Sequence, residues 1–255
     1  MIWIDTHCHL DHKQFKADRG AVLQDALDLG MAAMIVPAIS YESNFTIRQD
    51  SFLMDKRIFF SVGIHPNHVE EALDPEKLEQ YIDDRTVAIG ETGLDYFRTR
   101  QPEKQALQRK LFRRQIDMAQ RHGLPLILHI REAWEDGLEV LRSCGEEYAG
   151  VAHCFAGTWE QAKAYLEMGF ALGVGGLVTK EAPGLVETVG NMPLEKLLLE
   201  TDAPFLAPTG CKGRNVPANI PRIAQAVAEI RDIPVEIVME ATTRNTKRIF
   251  RLNMD

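Results

Sequence analysis

The chain begins Met1-Ile2-Trp3-Ile4-Asp5-Thr6-His7-Cys8-His9, an apolar run that ends in two histidines separated by one residue. Side chains alternate across a β-strand, so His7 and His9 are predicted to point to the same side, with Asp5 on that face behind them. Both imidazoles can then reach one metal ion. A pair of this kind is equally compatible with a structural role, so its interpretation depends on the residues found at the ends of the later strands.

The rest of the chain alternates short, apolar, β-rich runs with longer segments of helical periodicity. Residues Gln105–Gly123 show an apolar stripe at helical spacing, and glycine ends this and two other helix-like segments, at Gly30 and Gly169. Strands are predicted at Ile2–Thr6, Ala33–Ala38, Ile58–Ile64, Val87–Gly90, Pro125–His129, Gly150–His153, Ala171–Val174 and Leu197–Glu200. Eight strand–helix alternations without a linker predict an α/β fold, a single (β/α)8 TIM barrel domain over residues 1–255. An open doubly wound sheet is the alternative, but it favours a glycine-rich turn where this chain has His-x-His.

The composition excludes some functions and leaves others open. The 255 residues include 29 Lys+Arg and 37 Asp+Glu, a formal charge of −8, which argues against coating nucleic acid by bulk electrostatics. An enzyme that grips a few phosphates inside a pocket is not excluded. The four cysteines show neither paired zinc-ligand spacing nor a secreted disulfide pattern, and no run reaches the ~18 apolar residues of a membrane span. We expect a cytoplasmic protein with no membrane association and no obligate protein partner.

Residues of metal-ligand type recur at the carboxyl ends of the predicted strands, which form the active-site face of a barrel. Besides the first two histidines, they are His65, Glu91, His129, His153 and Asp202. A single histidine or carboxylate at a strand end is more often a satisfied core residue or a helix cap. Several of them converging without a cation would be costly to desolvate. The set therefore predicts a metal centre.

Four histidines and two carboxylates exceed the roughly four ligands of an ordinary zinc ion. They divide into two groups that Glu91 bridges: His7, His9 and Asp202 for one ion, and His129 with His153 for the other. The expected cofactors are two divalent cations, Mg²⁺, Mn²⁺ or Zn²⁺. Such a pair activates a water molecule and neutralises charge on a phosphoryl oxygen.

Six motifs extend this pattern over nearly the whole chain, in the order Asp5–Asp11, Gly90–Asp95, Pro125–Ala133, His153–Gly157, Leu198–Pro204 and Arg214–Asn219. At these residues the sequence resembles the TatD family of metal-dependent deoxyribonucleases, within the wider group of amidohydrolase-like barrels. Trp3 and Ala156 depart from the residues frequent in that family, but neither is a ligand position. The resemblance implies that the six residues grouped above are metal ligands, with Glu91 in the place of the bridging lysine found in related barrels.

The resemblance and the ligand pattern together predict an enzyme that hydrolyses ester bonds. We expect a deoxyribonuclease that acts on single-stranded DNA or frayed ends, 3′ to 5′, because a narrow barrel mouth admits a strand end more easily than a duplex. Asp202 is predicted to accept the proton of the attacking water, and Glu91 to hold the metal pair. His65 is predicted to hydrogen-bond a phosphate oxygen or to protonate the leaving oxygen.

Two further residues are candidates for substrate binding. Arg131, two positions after a predicted ligand, has the planar fork that clamps a phosphate, although pairing with Glu132 or Glu135 is as plausible. Asn215 is a candidate substrate contact, with helix capping as the alternative. Asp95 is interpreted either as orienting a ligand or as capping its loop.

Aromatic residues near the strand ends are candidates for base stacking, although packing is the preferred interpretation for each of them. They are Tyr96, Phe97, Trp134, Phe155 and Trp159.

Two other functions, from different classes, are compatible with the sequence. A similar barrel can hydrolyse an ester or amide, such as an aminoacyl-tRNA or a small metabolite, because fold does not fix function. A metal-binding scaffold without turnover is the other alternative, and the intact ligand set argues against it.

Overall fold

In a computed structural model of the chain, which describes residues 1–71, 75–145 and 147–254, eight strands form one parallel sheet in sequence order. The strands are β1 Trp3–Asp5, β2 Met31–Val36, β3 Ile58–Val62, β4 Thr86–Asp95, β5 Leu126–Arg131, β6 Gly150–Ala152, β7 Ala171–Val174 and β8 Leu197–Leu199. The Thr6 N–H donates to the Leu199 carbonyl at 3.1 Å, and Cys8 pairs with Ala203, so β8 returns to β1. The predicted (β/α)8 barrel is confirmed, and one domain over residues 1–255 stays a prediction.

Helices separate most successive strands, except that the described residues between β3 and β4 form only short 3-10 segments and that two helices follow β8. They are α1 Arg19–Asp28, α2 Tyr41–Thr46, α3 Pro102–His122, α4 Trp134–Cys144, α5 Trp159–Glu167, α6 Pro183–Asn191, α7 Ile220–Arg231 and α8 Val235–Phe250. The predicted helical stripe is α3, and Gly123 ends it with a φ of +62°, a left-handed conformation that glycine adopts without strain. Among the described residues, no helix combines the length and the apolar character needed to cross a bilayer.

The barrel encloses an apolar core below the polar strand ends. This cluster includes Ile4, Ile35, Ala88, Ile127, Val151, Ala171 and Leu198, and Phe250 and Leu252 from the end of the chain pack against it. Burying a Val, Leu or Ile side chain contributes roughly 1.5–3 kcal/mol relative to leaving it exposed. The strand residues of this cluster lie before the polar residues at the carboxyl ends. The core therefore lies directly beneath those polar residues.

Strand β4 is longer than the sequence predicts, since it runs to Asp95 instead of ending at Gly90. Its second half pairs with β5, where Gly93 is opposite His129 and Asp95 is opposite Arg131. All ten residues of β4 are buried. The polar residues in Glu91–Asp95 break the apolar pattern of a barrel strand, so sequence periodicity alone stops the strand too early.

Candidate metal centre

Six polar side chains converge at the carboxyl ends of the strands. His7 and His9 follow β1, Glu91 lies in β4, His129 lies in β5, His153 follows β6 and Asp202 follows β8. Glu91 and the histidines of β1 and β6 are almost completely buried. The structure thus brings together all six residues predicted as metal ligands, and their role as ligands stays a prediction.

The first group surrounds one carboxylate oxygen of Glu91. His7 Nε2 lies 3.3 Å from His9 Nε2 and 3.5 Å from Glu91 Oε2. His9 Nε2 lies 3.7 Å from the same oxygen and 3.5 Å from Asp202 Oδ1. Ligand atoms held about 2.1 Å from a tetrahedral ion lie about 3.4 Å from one another. His7, His9 and Glu91 therefore have the mutual spacing that a single ion requires, and Asp202 lies close to both histidines.

The second group surrounds the other oxygen of Glu91. His129 Nδ1 and His153 Nε2 each lie 2.9 Å from Glu91 Oε1. These two nitrogens are 3.2 Å apart. Each Glu91 oxygen thus faces a different pair of histidines, which is the arrangement expected of a carboxylate shared by two cations.

Asp5, which the sequence places behind the two histidines and outside the ligand set, bonds to His7 and Thr201. The chain bends at Thr6, just after β1. The Asp5 carboxylate accepts hydrogen bonds from the His7 N–H at 3.2 Å and from the Thr201 N–H at 2.9 Å and hydroxyl at 2.6 Å. Burial raises the pKa of Asp5 to about 8 against the lowering effect of these bonds. Asp5 therefore fastens the segment that carries His7 to the segment after β8.

Two further carboxylates lie behind the histidines of the second group. Asp95 Oδ2 lies 3.3 Å from His129 Nε2 and also accepts a hydrogen bond from the Asn67 amide at 3.0 Å. Its other oxygen accepts the Arg98 N–H at 2.9 Å. Asp95 therefore contacts a candidate ligand and also bonds within its own loop. The contacts agree with both interpretations made from the sequence, orientation of a ligand and capping of the loop.

Glu200 occupies the corresponding position behind His153. Its Oε1 lies 3.5 Å from His153 Nδ1, and the side chain is completely buried. Gly173 provides the space, because a Cβ at that position would lie 2.1 Å from Glu200 Oε2. Carboxylates in this position fix the orientation of a metal-binding imidazole and increase its basicity.

The charges of the centre fit a bound cation. Burial alone would raise the pKa of Glu91, but the histidines His153, His65 and His7 hold it well below its ordinary value. Burial opposes protonation of His153, yet Glu91 and Glu200 raise its pKa well above the ordinary value. Glu91 Oε2 is buried without a hydrogen-bond partner among the described residues. An ionised, unpaired oxygen is costly in such a place, and a cation would satisfy it.

His65 lies beside the centre rather than within either group. Its Nε2 is 3.5 Å from Glu91 Oε1, and its ring centroid is 4.2 Å from that of His129. The Asn67 N–H donates to His65 Nδ1 at 3.0 Å. Burial, with His129 nearby, holds the pKa of His65 well below its ordinary value. The ring is therefore neutral, and its Nε2 carries the hydrogen and can donate it.

Residues 4–251 match the family model for TatD related DNases. The chain belongs to the TatD family. It is 35% identical over 257 residues to the uncharacterized metal-dependent hydrolase YabD of Bacillus subtilis, covering 98% of this chain and 99% of that protein. It is 34% identical over 257 residues to the uncharacterized metal-dependent hydrolase YjjV of Escherichia coli, covering 98% of each. The crystal structure of YjjV, a TatD homolog, shares the fold with a TM-score of 0.88 and 31% identity over 98% of each chain.

With this membership, the chain is a metal-dependent hydrolase of the TatD family. Several groups at the rim of its centre extend beyond the candidate ligands. Arg131 ends β5, and its guanidinium carbon lies 3.9 Å from the centroid of the Phe97 ring. Glu132, one of its alternative partners, instead pairs with Arg100 at 3.2 Å. Arg131 thus lies on an aromatic surface at the mouth, where a phosphate can reach it.

Asn215 lies behind the centre of this TatD protein rather than at its mouth. Its side chain is buried, with Nδ2 donating to the Thr201 carbonyl at 2.7 Å and Oδ1 accepting from Asn219 Nδ2 at 2.7 Å. Asp202, the residue after Thr201, has a φ of +54°, which is strained for a residue with a side chain. Both polar atoms of Asn215 are therefore engaged in holding this loop. These bonds give Asn215 a positioning role in the loop, and its contact with substrate stays a prediction.

One residue at the mouth, Phe205, is not among those predicted from the sequence. Its side chain is 44% exposed, and its ring lies edge-on to His9 at 5.9 Å and to His12 at 5.4 Å between centroids. Phe205 directly follows the segment Asp202-Ala203-Pro204. That adjacency was the available signal, since an apolar residue next to a candidate ligand on a strand-end loop is well placed to line the mouth.

Proposed function

We propose that this TatD protein hydrolyses phosphodiester bonds of single-stranded or frayed DNA and removes nucleotides from the 3′ end. The single observation that carries the proposal is the position of Glu91, whose two oxygens face two separate groups of histidines. A shared carboxylate of this kind suits the paired cations that many nucleases and phosphatases use. The family description, TatD related DNase, supports DNA as the substrate.

Two divalent cations, Mg²⁺, Mn²⁺ or Zn²⁺, are the cofactors that the centre would hold. His7, His9 and Asp202 would bind one, His129 and His153 the other, and Glu91 both. When bound, the cations make a water molecule more acidic and neutralise charge on the phosphoryl oxygens. The mixture of imidazole and carboxylate donors suits Zn²⁺ and Mn²⁺ better than Mg²⁺, which prefers oxygen ligands.

Asp202 is the residue proposed to take the proton from the attacking water. Burial would raise its pKa, but the hydrogen bond from His9 and the charges of His7 and His153 lower it. The carboxylate is therefore ionised and able to accept a proton. Its side chain is 13% exposed, so it borders the mouth instead of lying on the floor.

His65 is proposed to bind a phosphate oxygen of the substrate. The sequence leaves two roles open, hydrogen-bond donation and protonation of the leaving oxygen. A neutral imidazole with a strongly lowered pKa holds no extra proton to give at neutral pH, so it favours donation of a hydrogen bond from Nε2. Arg131 would hold a neighbouring phosphate through its planar guanidinium.

The test uses oligonucleotides labelled at the 3′ or the 5′ end and protein from which metal has been removed by chelation and dialysis. We expect no cleavage until Mg²⁺, Mn²⁺ or Zn²⁺ is restored, followed by stepwise shortening from the 3′ end. Metal-independent cleavage would contradict the mechanism. Absence of cleavage with all three metals would contradict DNA as substrate and favour an ester or amide, such as an aminoacyl-tRNA, in its place.

Replacement of Arg131 by glutamine is expected to raise KM for a single-stranded oligonucleotide by about 10- to 100-fold, with a smaller change in kcat. A charge-assisted contact to phosphate is lost while the candidate ligands are untouched. Steady-state kinetics at several salt concentrations check this, because the wild-type KM should depend more steeply on salt than that of the variant. Arg244→Gln on α8, where the arginine is also exposed, is the matched control and should leave KM unchanged.

A further inference from the structure

Phe205 is an exposed aromatic ring held firmly beside the proposed metal centre. Of the four strongly exposed phenylalanines among the described residues, only Phe97 and Phe205 lie in loops that directly follow strands. The Phe205 N–H donates to the Asp202 carbonyl at 2.9 Å, and the neighbouring Ala203 carbonyl accepts the His9 N–H at 2.8 Å. The backbone of this loop is thus bonded to the segment after β1 on one side and to a candidate ligand on the other, which places the Phe205 ring beside the centre.

The two exposed rings have different surroundings. The guanidinium groups of Arg131 and Arg100 lie 3.9 and 5.8 Å from the centroid of the Phe97 ring, which makes that side of the mouth suitable for phosphates. The Phe205 ring instead meets His9 and His12 at interplanar angles of 70° and 65°. Neither histidine stacks in parallel on it, and 44% of the residue remains exposed.

We propose that Phe205 is the stacking platform for the base of the nucleotide that the enzyme releases. The proposal rests on the function proposed above and names how the substrate is recognised. A base is separated from its own phosphate by a single sugar, and the Phe205 ring lies 5.9 Å from the ring of His9, which belongs to the first metal group. A base on Phe205 therefore leaves its phosphate within reach of the centre. Every base has an apolar face, so stacking on an aromatic ring binds single strands without sequence preference.

The site selects unpaired ends for the same reason. A ring can stack on a base only when that base is free of its neighbour in the helix, and a terminal or frayed nucleotide meets this condition at the lowest cost. Phe205 is a substrate-binding residue in this scheme and takes no part in proton transfer. Its removal should therefore change KM far more than kcat.

The experiment compares Phe205→Leu, Phe205→Trp and wild type on a single-stranded oligonucleotide whose 3′-terminal residue carries either a base or an abasic analogue. On the normal substrate, Phe205→Leu should raise KM by about 5- to 100-fold, the loss of affinity expected for one stacked base. Phe205→Trp keeps an aromatic ring and should have a KM close to that of the wild type. On the abasic substrate, wild type and Phe205→Leu should have the same KM. The amount of bound metal per chain should be equal in all three proteins.

Phe52→Leu is the matched control, because Phe52 is 51% exposed and lies in the segment Ser51–Met54 that leads into β3, at the opposite end of the barrel. It should leave both KM values unchanged. Equal KM values for wild type and Phe205→Leu on the normal substrate, with normal wild-type cleavage, would refute the platform alone. Failure of the wild type to cleave DNA with any metal would refute the proposed function and the platform with it.

Discussion

Replacement of Asp202 by asparagine is expected to lower kcat for DNA cleavage by about 10²–10⁴-fold, the usual contribution of a positioned general base. Asparagine keeps the shape of the side chain and one oxygen for the first metal group, but it cannot accept the proton of the attacking water. The Asp202 N–H, which donates to the His7 carbonyl at 2.8 Å, is unaffected by the change. Single-turnover cleavage of a labelled oligonucleotide at saturating metal measures the effect.

Asp117→Asn serves as the matched control, because Asp117 is an exposed residue of α3 and undergoes the same chemical change. It should retain full activity, and both variants should have the wild-type circular dichroism spectrum. Wild-type kcat in Asp202→Asn would assign proton acceptance to another group. A loss of activity that higher metal concentration fully restores would give Asp202 a role in metal binding only.

Replacement of Glu91 by glutamine should lower kcat/KM by at least about 10³-fold. Losing a carboxylate that lies behind a metal-bound histidine typically costs about 10- to 100-fold, and Glu91 is itself a candidate ligand, so its loss should cost more. Glu91 offers one oxygen to each group of histidines, whereas glutamine offers a single neutral oxygen. Bound metal should fall below that of the wild type after dialysis. Metal analysis of the purified protein, together with kinetics, checks both expectations.

Two comparisons make this result specific. Glu139→Gln on the exposed face of α4 should keep full metal content and activity. Asp95→Asn, which removes the charge behind His129 but leaves all the candidate ligands in place, should fall between this control and Glu91→Gln. An unchanged metal content in Glu91→Gln would refute the shared carboxylate and with it the main support for the proposed function.

The number and order of the strands could be predicted from the sequence, because each barrel strand is a buried apolar run between helical segments. Strand β4 shows the limit of this reasoning. Its polar second half is a strand because it pairs with β5, a partner more than thirty positions away that no local pattern reveals.

The candidate metal residues could be predicted because parallel strands in a barrel all deliver their carboxyl ends to one face. Residues that act through loops could not. The hydrogen bonds of Asn215 to Thr201 and Asn219, for example, depend on how the loop after β8 folds back on itself. Phe205 has no distinguishing pattern beyond its place next to a candidate ligand, since its exposure depends on how the loop after β8 lies against His9.

The closure of the barrel between β8 and β1 determines when the candidate metal centre can form during synthesis of the chain. The hydrogen bonds from Thr201 to Asp5 join residues 196 positions apart, and they adjoin the first metal group. A nascent chain that ends before β8 contains the four histidines and Glu91, but it lacks Asp202 and the contacts that align β1. Hydrolytic activity should therefore appear only after the segment that carries Thr201 and Asp202 has been made and has folded onto β1.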